Sequence, residues 1–395
     1  MRILLLNDRL YPDFIGGVEK RNHDLALALA RRGHEVTLAG FGRGPAGPSE
    51  AAPAIAVHSL GPLGRLYSPS GKRSTPQAFR FAWRVFRLDL AAFDVVEASN
   101  IPYIHLMPLA LRCRLQRRPL VVTWYEFWGP YWSKYLRPSV APVYRLAEWA
   151  TAQLGAAVVA TSRLTADRLA ARRIGAAEVP VVACGIPVPA LRAATAEVAA
   201  APGTIVYAGR LIREKRLDLL LDAVAALPPR LAVRLVIFGE GPEREALVGR
   251  IAALGLGERV ELRGHVPEAA EVWRTVRAAA VAVQPSSREG FGIFPLEAMA
   301  LGVPVVYADS IDSAVVELVR DGIDGLRVPA QQGALTAALA RLLSDGPLRS
   351  ALGRAAARRA EEYDLERLAG RMEALLRAAA EGRLDRFEVL GVPGP

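Results

Sequence analysis

Two glutamates separated by seven residues, Glu289 and Glu297, bracket the segment Gly290-Phe291-Gly292-Ile293-Phe294-Pro295-Leu296. Glycine has no Cβ, so Gly290 and Gly292 let main-chain amides come close to a ligand. Pro295 suits the first turn of a helix. The amides from Gly290 to Phe294 then gather at a helix start, a place that holds phosphate or sugar hydroxyls. Glu289 would project from the loop and Glu297 from the early turns of the helix. Each carboxylate could accept hydrogen bonds from a separate pair of vicinal hydroxyls on one extended ligand. The competing reading is an acidic loop whose second glutamate favours the helix dipole. Gly-Phe-Gly and Pro between the two acids tip the balance towards a site.

Arg210 and Lys215 lie in Gly209-Arg210-Leu211-Ile212-Arg213-Glu214-Lys215, directly after the strand-like run Thr204 to Ala208. Two cations at a strand end suit a diphosphate leaving group, whose negative charge grows as its bond to a sugar breaks. Fixed charge there stabilises the transition state more than the ground state. Arg213 and Arg216 read better as a solvated turn with Glu214. Phe238-Gly239-Glu240-Gly241-Pro242 is a tight glycine turn with proline at a helix start, which places Gly239 near the same sheet edge. His265-Val266-Pro267 follows the next strand and could border a nucleobase through backbone atoms; a histidine there is more often a surface residue. Gly16-Gly17 opens the first helix and could touch a phosphate, with an ordinary helix-start turn as the alternative. No Gly-x-Gly-x-x-Gly follows the first strand, which weighs against a nicotinamide or flavin enzyme.

The elements that must carry these residues are short apolar runs alternating with helical patterns, the signature of parallel α/β architecture. Strands are expected at Ile3 to Leu6, Val36 to Ala39, Val95-Val96, Leu120 to Thr123, Val158 to Thr161 and Val179 to Ala183. After a Pro- and Ala-rich passage, a second series is expected at Thr204 to Ala208, Arg234 to Phe238, Val260 to Leu262, Ala280 to Gln284 and Val303 to Tyr307. The repeat predicts two Rossmann-like domains facing a cleft: 1–185, a linker at 186–202, and 203–364. The charged, amphipathic C-terminal segment within 365–395 would cross back to the first domain. The basic stretch Gly61 to Arg87 reads as a loop that becomes helical.

A chain of 395 residues, 52% apolar, is long enough for two such cores. Cys113 and Cys184 form no Cys-x-x-Cys pair, which excludes a disulfide framework or zinc site of that kind. The first apolar run is too short for a signal peptide, and none reaches the roughly 18–20 residues of a membrane span. A cytoplasmic protein within reach of the inner membrane face is expected. The net charge of +10 suits nucleic acid, an anionic membrane or a phosphorylated ligand. With no nucleic-acid-binding module in view, nucleic acid is not an expected partner.

In this order the motifs resemble glycosyltransferase family 4, enzymes of the GT-B fold, over nearly the whole chain; the Glu-x7-Glu block is the most specific part. The resemblance implies that Arg210 and Lys215 bind the diphosphate of a UDP- or GDP-sugar donor, and that Glu297 binds its ribose. Glu289 would contact the donor sugar, Gly290 to Phe294 would hold sugar and phosphate through amides, and Gly16-Gly17 would close on the phosphate. It also implies retention of anomeric configuration without metal or cofactor. The acceptor would be a small molecule or lipid-linked. Tyr125 stands where relatives often carry a histidine at the donor sugar, and Glu97 where histidine is again frequent; Tyr125 is the corresponding catalytic candidate. The cluster Trp124, Tyr125, Phe127, Trp128, Tyr131, Trp132 and Tyr135 could stack on an acceptor or, with Lys134 and Arg137, touch a membrane interface. Core packing accounts for part of it. The same residues would also serve a sugar-nucleotide epimerase or a non-catalytic sugar-nucleotide-binding protein.

Overall fold

The strands of the first sheet are near-continuous apolar runs because both of their faces are covered. In the computed structural model, which describes residues 1–14, 16–44, 55–64, 75–154, 157–172 and 178–383, Ile3 and Leu5 enter one core while Leu4 and Leu6 enter the other. This is the period-2 alternation of a strand. Val95 and Val121 join the first core; Val96 and Val122 join the second.

Contacts divide the chain into two units, one of Met1–Gly185 with the stretch beginning at Leu365, the other of Ile186–Asp364. The first unit runs β1 (Arg2–Arg9), α1 (Gly17–Arg31), β2 (Glu35–Phe41), β3 (Ala56–Ser59), α2 (Thr75–Phe86), β4 (Val95–Ser99), α3 (Leu106–Leu115), β5 (Leu120–Trp124), α4 (Trp132–Tyr135), α5 (Ala141–Ala152), β6 (Ala157–Ala160) and α6 (Arg163–Ala170). The second runs α7 (Val188–Ala193), β7 (Ala201–Ala208), α8 (Leu217–Ala225), β8 (Arg234–Phe238), α9 (Arg244–Ala253), β9 (Val260–Gly264), α10 (Ala269–Ala278), β10 (Ala279–Gln284), α11 (Ile293–Ala300), β11 (Val305–Ala308), α12 (Val315–Leu318), β12 (Gly325–Val328), α13 (Gln332–Ser344) and α14 (Gly346–Ala360). Helix α15 (Leu365–Ala380) returns to the first unit.

Both sheets are parallel, ordered β3-β2-β1-β4-β5-β6 and β12-β11-β10-β7-β8-β9. Counted from its own first strand, each has the doubly wound order 3-2-1-4-5-6. Each therefore has a switch point, between β1 and β4 in one and between β7 and β10 in the other. Ligands of such sheets bind beyond the carboxyl ends of those strands.

Helix α15 buries Leu365, Ala369, Met372 and Leu376 in the core shared with α1. The ion pair Arg31–Glu366 at 2.6 Å and the approach of His34 Nε2 to Glu373 at 3.1 Å flank that contact.

The differences from expectation have local causes. Val179 to Ala183 is not a strand: Pro180 has no amide to donate, and only Val181 bridges to Ala160. The edge strands β3 and β12 are short, and no strand was expected at either. The passage 186–202 contains α7, with Val188 and Leu191 buried, rather than only linker. Of Gly61 to Arg87, residues 65–74 lie outside the described residues and Thr75–Phe86 is α2. Among the described residues, no helix is long and apolar enough to cross a membrane.

Candidate active site

The two loops at the second switch point are tied to each other. After β7 the chain makes a 3-10 turn at Arg213–Lys215, and after β10 it turns through 285–292. Ser287 donates from its amide to the Glu214 carbonyl at 2.9 Å and from its hydroxyl at 3.2 Å. Across this join, Lys215 Nζ donates to Glu289 Oε2. The same oxygen accepts from Gln284 Nε2 at 2.6 Å, and Gln284 also reaches Ser286 Oγ at 2.9 Å. Both charged side chains are largely covered, 12% and 16% exposed, so their attraction is screened less than that of a surface pair. Glu289 is fixed along its backbone too, donating to the Asp312 carbonyl at 3.1 Å and accepting from the Ala314 amide at 2.8 Å. Arg210 is exposed beside this pair in sequence, and its carbonyl accepts from Tyr207 Oη at 3.3 Å. Burial pushes the Tyr207 hydroxyl well above its ordinary pKa, with the Glu289 charge adding to the effect.

Gly292 adopts φ 105° as the N-cap of α11, a left-handed conformation that suits glycine. On either side, Phe291 and Phe294 turn inward: their rings lie 5.9 Å from Tyr363 and 5.8 Å from Tyr207. The aromatic side chains thus anchor a loop whose amides, with those of Gly290 and Ile293, form the start of α11. The first amides of a helix have no partner within it. Glu297, half-buried on the same helix, accepts from Trp273 Nε1 of α10 at 3.2 Å. Two of the paired acids' partners, Gln284 and Trp273, were not foreseen; a glutamine ending a core strand was the one available signal.

The turn after β8 fits against the Arg210 loop through its glycines. A Cβ on Gly239 would stand 1.9 Å from the Gly209 carbonyl oxygen, and one on Gly241 2.2 Å from that of Leu211. Backbone bonds Gly209 N to Phe238 O at 3.0 Å and Leu211 N to Glu240 O at 2.9 Å close the join. Gly239 therefore acts on the site through backbone packing. His265 is exposed and Val266 partly so, just beyond β9.

In the first unit, Gly16 is the N-cap of α1, and a Cβ there would lie 2.3 Å from Glu19 Oε2. The helix start that Gly16-Gly17 open already has a carboxylate folded onto it. At the first switch point, Arg21 Nη1 donates to Glu97 Oε1 at 3.2 Å and to Asn22 Oδ1 at 2.8 Å. Tyr125 Oη donates to the same Asn22 oxygen at 3.1 Å, Asn22 Nδ2 donates to Ser99 Oγ at 3.1 Å, and Thr123 Oγ1 donates to Glu97. All of these side chains are buried, Glu97 completely. Burial drives the Tyr125 pKa far up. For Arg21 burial opposes the charge, yet Tyr125 and Glu97 beside it hold the guanidinium above its ordinary value. Glu97 is thus the partner of a buried arginine.

Most of the aromatic cluster is core. Trp124, Tyr125, Phe127 and Trp132 are at most 7% exposed, while Trp128, Tyr131 and Tyr135 are partly covered. Their loop is organised by Glu148 of α5, which accepts from the amides of Trp128 and Gly129 at 2.7 Å each and from Tyr103 Oη at 3.0 Å. The buried Glu148 has a raised pKa, through burial, despite these donors.

Comparison with known proteins places this arrangement. The structure resembles sucrose-phosphate synthase from Thermosynechococcus elongatus with TM-score 0.78 and 23% identity, covering 96% of this chain and 99% of that one. It resembles Anabaena Alr3699/HepE in complex with UDP-glucose with TM-score 0.74 and 21% identity, covering 96% of this chain and all of that one. The fold is the two-domain GT-B fold of glycosyltransferases. In sequence, "Glycosyltransferase Family 4" matches residues 15–188 and "Glycosyl transferases group 1" matches 196–359. A D-inositol 3-phosphate glycosyltransferase of Streptomyces bingchenggensis is 36% identical over 174 residues, 41% of this chain and 38% of that protein. The chain spans 16%, 38% and 46% of the length of three curated relatives that it matches. Together the two family models cover most of the chain and mark it as a glycosyltransferase of the family 4 type.

Proposed function

We propose that the chain transfers a glycosyl group from a nucleoside-diphosphate sugar to an acceptor, with retention of anomeric configuration. The observation that carries this is the Lys215–Glu289 pair, held where the two switch-point loops join, next to the amides that start α11. A donor diphosphate would displace Glu289 from Lys215 and take the cation's charge, with Arg210 as the second cation. Glu289, released, would face the donor sugar, and Glu297 would hold the ribose. The UDP-glucose bound to the Anabaena relative supports a nucleotide sugar as donor. With two cations facing the leaving group, the reading needs no metal or cofactor. Tyr125 is then a positioning residue acting through Asn22, because its hydroxyl is buried and already donates.

The test is a thermal-shift screen against nucleoside diphosphates and their sugars, followed by transfer assays with the donor that stabilises. A ligand that binds only the folded state raises its stability by mass action. Lys215→Ala and Glu297→Gln should each abolish most of the shift and the turnover, and an NMR spectrum of the product should retain the donor's anomeric configuration. Turnover that persists unchanged in both variants would overturn the assignment, and epimer formed without acceptor would replace transfer by epimerisation. EDTA should leave the rate unchanged.

A further inference from the structure

Helices α2, α3 and α5 link β3 to β4, β4 to β5 and β5 to β6, all stepping the same way across the first sheet. Right-handed crossovers therefore place them on one face, and their inward residues Phe81, Val85, Leu106, Leu109 and Ala152 share one core. A helix layer of that kind normally shows water a polar outer surface. This one does not. Helix α2 leaves Phe79, Trp83 and Phe86 exposed at 57%, 51% and 47%, spaced to lie along one side. On α3, Met107, Leu111 and Leu115 are 43%, 50% and 67% exposed, four residues apart in turn. On α5, Val143, Leu146 and Trp149 are 64%, 63% and 41% exposed. The helices on the opposite face, α1 and α15, leave no large apolar side chain exposed among the described residues. In the other unit, the exposed examples are scattered singly, which needs no explanation.

The charge between these stripes has one sign. Arg84, Arg114 and Arg145 are exposed on the three helices, and Arg87 and Arg117 lie one and two residues past the ends of the first two. The guanidinium groups of Arg84 and Arg87 sit 5.3 and 4.8 Å from the Trp83 ring. The three helices contain one carboxylate, Glu148, and it is fully buried. An apolar stripe of Trp, Phe and Leu flanked by arginine fits the boundary between acyl chains and anionic headgroups. A second copy packed face to face would set arginine against arginine.

We propose that the outer surface of α2, α3 and α5 docks on an anionic phospholipid bilayer. The surface is separate from the Lys215–Glu289 site, so it stands or falls independently of the transfer reaction. The full chain should float with phosphatidylcholine vesicles that contain phosphatidylglycerol and not with phosphatidylcholine alone, and raised salt should release it. Tryptophan emission should shift to the blue on binding. Arg84→Ala with Arg114→Ala should lower partitioning about five-fold per arginine. Trp83→Ser with Leu111→Ser should lower it further, and Ile323→Ser in the other unit should leave it unchanged; all should keep the wild-type melting temperature. Equal binding to neutral vesicles, or none to anionic ones, would overturn the proposal. So would light scattering that shows a dimer which Trp83→Ser splits while vesicle binding is unaffected.

Discussion

The two switch points share one strand order and differ in what fills them. The first is closed by its own side chains: Arg21, Glu97, Asn22, Ser99 and Tyr125 are buried and hydrogen-bonded to one another inside the unit. The second keeps its charged pair nearer the surface, with an exposed arginine and the start of α11 beside it. The same topology thus carries a buried polar network in one unit and a partly covered ion pair in the other.

The contrast can be broken most severely at Arg21. Arg21→Ala leaves Glu97 buried without its cation, at a cost of about 3–5 kcal/mol, measured by denaturant unfolding. An apolar pair of similar volume, Arg21→Met with Glu97→Leu, should recover most of it; failure to recover would mean that the cost does not come from the unpaired carboxylate. At the other switch point, Lys215→Ala should lower kcat/KM by about 10²–10³-fold in steady-state assays while the melting temperature changes little. A protein that loses stability rather than turnover would reverse the comparison. Gly239→Ala forces a methyl against the Gly209 carbonyl, so about 1–3 kcal/mol of overpacking is expected, with weaker donor binding by calorimetry. Tyr125→Phe removes one buried hydrogen bond, about 1 kcal/mol, and kcat should hold; a collapse of kcat at unchanged stability would make Tyr125 a reacting group. The smallest effect is on α15. Burial opposes the charge of Glu373, but Arg32, Arg377 and His34 bring its pKa down from 4.5 to about 2. Its contribution is therefore present above about pH 4.5 and lost as pH falls towards 2. Glu373→Gln should flatten the acid limb of a melting-temperature profile.

How much of this was legible in the sequence varies with the signal. Central strands read clearly because burial on both faces makes them uniformly apolar, and the Gly-Phe-Gly-Ile-Phe-Pro block carried its own helix start. Edge strands β3 and β12 were missed because strands of only four residues have little pattern to detect. The aromatic run from Trp124 to Tyr135 looked like a binding surface, yet composition cannot say which side of a loop faces the core; Glu148, some twenty residues on, settles that. Glu97 was read as a departure from a histidine, when its meaning lies in Arg21, a partner on another element that no local spacing reveals. The outward stripe of α3 escaped because a helix apolar on two sides shows no clean periodicity.

Helix α15 has a consequence for synthesis. The strands of the first unit leave the ribosome early, but Ile3, Leu5 and Val121 stay without their final cover until residues 365–380 have also emerged. The second unit, Ile186–Asp364, has all its strands before then. The half of the protein translated first is thus the half completed last, and a nascent chain halted before Leu365 would present a sheet bare along one flank to whatever chaperone waits at the exit tunnel.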